Sequence, residues 1–424
     1  MDRIKKDMHF MCKEVGTRIY GSDEEKKVAD YIMQGFSEAG LSVEIQEFPV
    51  DKMEYSSVEF GKIRNGRMEK LDVLPMAQSG FTDKEGEILE LEYLENIKLV
   101  SAGQHDIKGK AVIIYGGLGE DVRDYRKLVR SGARAVLIND NRYPVPWLIA
   151  DGMSYPWMKE GTLPVIIPKY FDVVDMLKEG VKKVFIKVTG RRRVSMSQNV
   201  IGIKEGGGKE NIVMTAHHDS VMIGEGATDN ATGVAGLLEI ARRLKECPRR
   251  KRNIVLVSCG SEEVLSYGSL NFVKKHASLA KDSVFSVNFD SASSFFGENM
   301  ILVTGEKKLA SYVKKEAEKT GSWFNIKNGV SPFSDQFPLN VSGVPSIWFM
   351  RHNTSGGYFP FHSHLNRMEI VDFRVLREVI DTAYNIVHEL SGDISMPFPR
   401  EIQAEFKSEI SRYHKNLYCG EIKK

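Results

Sequence analysis

Apolar residues recur along this chain with different periods, and the changes of period mark its segments. Residues 1–40 carry a helical pattern. In "SDEEKKVADYIMQGFSEAG", Ser22 is a good N-cap and acidic residues follow it, as suits a helix N-terminus. Val28, Tyr31, Ile32 and Phe36 then recur at helical spacing, and Gly40 stops the run. "LSVEIQEFPV" alternates as a strand does. From about Tyr55 to Lys187 short β-rich runs such as "EGEILEL" and "GKAVIIYGG" are separated by glycine and charged turns. Within that stretch "DYRKLVRSGARAVLIND" and "LPVIIPKYFDVVDMLKEG" each join a helix and a strand. The stretch has its own apolar runs and reads as an independent small α/β unit.

Beyond "SQNVIGIK", strands and helices alternate. "NIVMTA", "NIVLVSC", "SVFSVNFD", "MILVTG" and "PSIWFM" are short, nearly continuous apolar runs, the pattern of a sheet buried on both faces. "TGVAGLLEIARRLKE" puts Val234, Leu237, Leu238, Ala241 and Leu244 on one helical face. "YGSLNFVKKHA" and "KKLASYVKKEAEKTG" read as further helices, and "DFRVLREVIDTAYNIVHEL" as a long amphipathic one. The predicted fold class is α/β: a mixed, mostly parallel central sheet flanked by helices, with a β-rich insertion. The boundaries read from these changes are 1–54 and 193–424 for the main domain and 55–192 for the insertion.

A length of 424 residues suits that division, and 42% hydrophobic residues allow a sizeable core. The net charge of +2 supplies no global field for nucleic acid or a membrane surface, so neither is expected as a partner. The basic clusters Arg191–Arg193 and Arg249–Arg252 read as solvated loops. The N-terminal stretch lacks an apolar run of secretory length, and no segment approaches the roughly 18 apolar residues of a spanning helix. A cytoplasmic protein is the expectation. Cys12, Cys247, Cys259 and Cys419 are scattered, which argues against a disulfide framework or a thiolate zinc site, and Cys259 reads as a buried structural thiol. Self-association into a homo-oligomer is left open.

Acidic and imidazole side chains are unevenly spread. His217, His218 and Asp219 follow "NIVMTA", Glu262 and Glu263 follow "NIVLVSCGS", and Asp290 ends "SVFSVNF". In open α/β sheets ligands bind outside the carboxyl ends of strands, so three strand ends deliver polar groups to one edge. "FPFHSHLN" adds His362 and His364 from a glycine-containing loop. Imidazole with carboxylate suits zinc. Two co-catalytic metals about 3.5–4 Å apart need a bridging carboxylate, and Asp229 in "GATDNATG" is a short acid at a helix start, among small neighbours. The adjacent glutamates of "SEE" offer one ligand and one general base.

The ordered set "HHDS", "DNATG", "SEEVLSYGS", "VNFDSAS" and "FHSH" resembles the co-catalytic di-zinc exopeptidases. That family includes bacterial leucyl-type aminopeptidases, glutamate carboxypeptidase two and the catalytically inactive transferrin receptor. The resemblance covers about residues 1–50 and 195–390, and the insertion is similar to a protease-associated domain. It implies two zinc ions per chain, held by His217, Asp229, Glu263, Asp290 and His362, with Asp229 bridging. Glu262 would be the general base acting on a zinc-bridged water, and Asp219 would orient His217. Gln336 and Asn366 depart from the family's common His and Asp, and His218 and His364 are not assigned as ligands. The implied activity is an aminopeptidase acting on peptides, with Arg351 and Tyr358 as candidates for substrate contact. Carboxypeptidase or aminoacyl-hydrolase activity on the same metals, and an inactive receptor-like binding module, are the alternatives.

Overall fold

The apolar runs form strands and helices close to the predicted limits, with one break near the N-terminus. In the computed structural model every residue is described except 102, 104, 143, 353–360, 393–394 and 423–424. Ser22 Oγ accepts a hydrogen bond from Glu25 N (3.1 Å) and opens the helix Asp23–Glu38, which buries Val28, Ala29, Ile32 and Phe36. Upstream, the helix Asp2–His9 runs into a π-helical segment, Phe10–Val15. Helix over all of residues 1–40 was the expectation. It fails between these elements because Gly16 takes φ +78°, a left-handed conformation open to glycine, and residues 16–22 become a loop.

The chain separates into two units, one of Met1–Val50, Ser195–His414 and Glu421–Lys424, the other of Asp51–Val194 and Lys415–Gly420. In the first, the sheet order is Asn325–Asn328, Glu298–Thr304, Ser346–His352, Ser283–Phe289, Asn211–His217, Asn253–Cys259, then residues 200–204 of the strand Lys183–Lys204. The four strands from Ser346–His352 to Asn253–Cys259 are mutually parallel. Glu298–Thr304 and residues 200–204 join antiparallel, which gives the predicted mixed, mostly parallel sheet. Asn211–His217 and Ser283–Phe289 are buried at every position, as expected for strands covered on both faces. Register places Cys259 beside His217 and Asn288 beside Thr215, so three strands finish level at one edge.

The helix Thr232–Lys245 is buried around most of its first turns, more than its amphipathic reading predicted. The helices Asp2–His9, Asp23–Glu38 and Phe373–Ser391 all pack on it. Gly35 lets one of them approach closely: a Cβ there would lie 2.5 Å from Leu238 Cδ2. Arg252 corrects the solvated-loop reading of its cluster. It is buried, bonded to Glu210 Oε2 (2.7 Å), and donates to Leu390 O (2.6 Å), closing the C-terminal end of Phe373–Ser391.

The second unit has parallel strands Glu87–Leu94, Ala111–Tyr115, Ala135–Asn139 and Val165–Pro168. Val73–Pro75 and residues 183–186 close its edges in antiparallel pairing. Phe60, Ile113, Leu137, Ile166 and Val184 belong to its own core. Arg191–Arg193 lie on the strand Lys183–Lys204 and not in a loop, held by Glu54 and Asp51. Lys415–Gly420, expected with the main domain, belongs here because Leu417 O accepts from Ser154 Oγ (3.0 Å) and Trp157 Nε1 (2.9 Å). Among the described residues, no helix is long and apolar enough to cross a membrane.

Leu238 tests the packing that backs the sheet. It is 1% exposed, so Leu238→Ala should cost about 2–5 kcal/mol. Denaturant unfolding of wild type and variant measures this; a loss under 1 kcal/mol, on the same order-of-magnitude scale, would contradict the packing described.

Candidate metal centre

Strand ends place the site. Asn211–His217 finishes on His217 itself, Asn253–Cys259 leads into the turn carrying Glu262 and Glu263, and Ser283–Phe289 is followed by Asp290. Asp229 comes from the segment Ala227–Ala231, ahead of the helix Thr232–Lys245, and His362 from the loop before Met368–Ile370. All six residues are buried, each less than a tenth exposed.

They form two groups that share one member. His217, Asp229 and Asp290 offer ligand atoms to one point, and Asp229, Glu263 and His362 to another. Asp229 Oδ1 lies 3.0 Å from His217 Nε2, while its Oδ2 lies 3.5 Å from His362 Nε2. His217 Nε2 is 3.7 Å from Asp290 Oδ1, and His362 Nε2 is 3.0 Å from Glu263 Oε2. His217 Nε2 and Asp229 Oδ2 are buried and make no hydrogen bond. Buried polar atoms without partners are costly, and two imidazoles among four carboxylates form a donor set that suits a divalent metal.

Electrostatics within this cluster are strained in the same sense. Burial pushes Glu262 well above the carboxylate range; the His217 charge opposes this, while the charges of Asp335, Asp290 and Glu263 add to it. Burial likewise takes Glu263 up to about 7, against the pull of His362. Burial works against a charge on His217, yet the carboxylates of Asp219, Asp229 and Asp290 beside it hold it well above the histidine range. For Asp290, burial is overcome by the nearby His217 ring and by the bond from Ser334, and its pKa falls below the usual value.

Asp219 has a wider reach than its sequence reading gave it. Its Oδ1 is 3.5 Å from His217 Nδ1 and accepts Glu262 N (3.0 Å), while Oδ2 accepts Glu263 N (3.1 Å). One carboxylate therefore orients a histidine and the turn bearing both glutamates. Those glutamates diverge. Glu262 Oε1 accepts from Ser266 Oγ (3.0 Å), and its Oε2 stands 3.9 Å from His217 Nε2. Glu263 Oε1 accepts from Val221 N (3.0 Å), and its Oε2 faces His362.

The unassigned residues fall outside both groups. His218 bonds Ser258 Oγ (3.0 Å), and burial lowers its pKa to about 4, so it is neutral. His364 is exposed. Arg351 donates to Phe296 O (2.9 Å) and to Asn299, ties within its own sheet region. Tyr358 lies outside the described residues. The two departures from the family pattern have structural roles. Asn366 Oδ1 accepts from Thr228 N (2.8 Å), fixing the residue next to Asp229. Gln336 Oε1 accepts from Asn288 Nδ2 (3.0 Å), and that amide also reaches Ser334 Oγ (2.7 Å), whose proton goes to Asp290 Oδ2 (2.6 Å).

Arg18 is the clearest residue that sequence reasoning passed over. It is fully buried, and its guanidinium donates to the carbonyls of His218 (2.9 Å), Met11 (3.2 Å), Gly16 (2.7 Å), Glu225 (2.7 Å) and Gly226 (2.9 Å). It thus ties the loop after Gly16 to the segment between His217 and Asp229. Burial lowers its pKa, opposed in part by the charges of Asp219, Glu263 and Asp229. The only signal in the sequence was one arginine in "GTRIYGS", a segment already similar to the family's N-terminus.

Residues 199–387 match Peptidase family M28. Over 357 residues the chain is 29% identical to aminopeptidase YwaD of Bacillus subtilis strain 168, covering 80% of this chain and 73% of that one. It is 26% identical to the probable lipoprotein aminopeptidase LpqL of Mycobacterium tuberculosis, over 66% of this chain and 55% of that one. Its fold is similar to that of BSAP, a zinc aminopeptidase from Bacillus subtilis, with a TM-score of 0.74 at 24% identity, over 96% of this chain and 98% of the other. A peptidase M28 precursor from Shewanella amazonensis SB2B gives a TM-score of 0.79 at 19% identity, over 95% and 96% of the two chains. The family match lies over the segment that carries every member of both buried groups, and over residues 199–387 the chain is similar to peptidase family M28.

Proposed function

We propose that this chain is a zinc aminopeptidase that releases N-terminal residues from peptides with two metal ions per chain. The carrying observation is Asp229, whose two oxygens face different histidines in two groups of ligand atoms. His217 and Asp290 would hold one ion, Glu263 and His362 the other, and Asp229 both. The zinc aminopeptidase among the similar structures and the aminopeptidases among the relatives support the same reading. When bound, such a pair supplies Lewis acidity, polarising a scissile carbonyl and making water more acidic.

Glu262 is the carboxylate that both groups leave out. It is buried beside them, with Oε1 tied to Ser266 and Oε2 directed at the cluster. It takes the proton of the attacking water at Oε2 and returns it to the departing amine, the work of a general base and acid whose pKa has been raised by burial. Asp219 holds the backbone beneath it and the ring of His217. We assign the insertion the place of a protease-associated domain; among the described residues, none of 51–194 belongs to either buried group. Arg351, the cation that a carboxypeptidase reading would draw on, is engaged by Phe296 and Asn299. Comparing one short peptide blocked at the N-terminus with the same peptide blocked at the C-terminus tests the end-specificity. Only the N-terminal block should stop cleavage; the reverse result means a carboxypeptidase.

Asp229→Ala should lose both ions together, because a shared ligand serves each of them. Elemental analysis after dialysis reads this directly, and two tightly held zincs in the variant would overturn the assignment. Glu262→Gln keeps size and hydrogen bonding but cannot take the proton. It should retain zinc and lose about 10²–10⁴ in kcat, whereas Glu263→Gln should weaken zinc binding. Steady-state kinetics with metal analysis on both variants separates the roles, and the opposite pattern would exchange them.

A further inference from the structure

The turn that carries Glu262 and Glu263 is held by more than Asp219. Three successive backbone amides, of Ser261, Glu262 and Glu263, each donate to a buried carboxylate. Asp219 takes the last two. The first goes to Glu25 Oε1 (3.1 Å), from a residue 236 positions earlier in the chain. Glu25 is 0% exposed and lies in the first turn of the helix Asp23–Glu38. Its Oε1 also accepts from Ser197 Oγ (2.7 Å), and its Oε2 from Gly21 N (2.7 Å). All three of these bonds have Glu25 as acceptor.

The surrounding backbone is built around this contact. A Cβ at Gly260 would lie 2.7 Å from Glu25 Oε1 and 2.5 Å from Ser197 Oγ, so only glycine leaves room for the carboxylate. A Cβ at Gly268 would lie 2.0 Å from Gly260 O, so glycine there allows the helix Tyr267–Lys275 to close on the turn from the other side. Ser261, Leu265 and Ser266 have φ of +55°, +72° and +47°, conformations that side chains other than glycine adopt at a cost and keep only when their surroundings impose them. The carboxylate on Ser261 N is one of those impositions.

We propose that Glu25 is a positioning residue for catalysis. By holding the Ser261 amide it sets the path of the turn into Glu262, and thereby where Glu262 presents its carboxylate, while Asp219 keeps hold of Glu263 N. The inference rests on the role given above to Glu262. A misplacement of about 1 Å in a catalytic group costs on the order of 10² in rate, so the effect should fall on kcat.

Three substitutions separate reach from charge. Glu25→Gln keeps an acceptor at the Oε1 position and should recover most of kcat, about threefold below wild type. Glu25→Asp keeps the charge but is one methylene too short for Ser261, and should lose about tenfold. Glu25→Met removes the acceptor and should lose about 10². In all three, KM and zinc content should stay within about twofold of wild type, since these groups act through position. Amide hydrogen exchange supplies a readout that needs no turnover. Residues 260–263 should exchange faster in the Asp and Met variants than in Gln, while the helix Thr232–Lys245 stays protected in all. Should the Met variant fail to fold, the order Gln above Asp carries the test. Wild-type kcat in Glu25→Asp, an Asp variant as active as Gln or more so, or equal loss of protection across the whole chain would overturn the proposal. If zinc-loaded wild type cleaves no aminoacyl reporter substrate, the functional reading fails instead. The positioning of the turn is then decided by the exchange data alone.

Discussion

Burying four carboxylates and two imidazoles within reach of one another is the constraint around which this fold is organised. Each of Asp229, Glu262, Glu263, Asp290, His217 and His362 is less than a tenth exposed. Such a cluster is expensive unless its charges are matched. Part of the matching is internal: each histidine faces two or more of the acids. More comes from the backbone amide of Val221 on Glu263, and from Ser266 on Glu262 and Ser334 on Asp290. His217 Nε2 and Asp229 Oδ2 are left without hydrogen bonds, and both residues belong to the groups whose ligand atoms could hold a metal ion.

Holding that cluster requires rigid supports, and the supports differ in kind. His217 and Asp290 sit at the ends of parallel strands whose own residues are wholly buried, so their backbones are fixed by the sheet. Asp229, Glu262, Glu263 and His362 sit in turns, and each turn is tied by side chains from elsewhere. Asn366 holds Thr228, Asp219 and Glu25 hold residues 261–263, and Arg18 binds the carbonyls of His218, Glu225 and Gly226. The loop at residues 16–22 follows from the same need. A helix continuing through Gly16 would leave Arg18 on a helical surface, unable to turn its five donors inward.

What the sequence revealed, and what it hid, follows from the range of the interactions. Strands such as Asn211–His217 and the helix Asp23–Glu38 were legible because period and capping are local. The acids and histidines at strand ends were legible because their chemistry is rare and their order specific. Glu25 was read as an acid suited to a helix dipole, and Arg18 was not singled out. Their roles depend on partners 200 or more positions away, which no period or spacing records. The same holds for Leu417, whose carbonyl is claimed by Ser154 and Trp157 and which thereby moves with the second unit. Arg252 carried the signature of a solvated basic loop, yet it closes a helix end, because the carbonyl it caps lies 138 positions further on.

Anomalous diffraction at the zinc edge, on crystals of the zinc-loaded protein, tests the central claim most directly. Two peaks per chain are predicted, one beside His217 and Asp290, one beside Glu263 and His362, with Asp229 touching both. A single peak, or a peak at His218 or His364 in place of either, would contradict it.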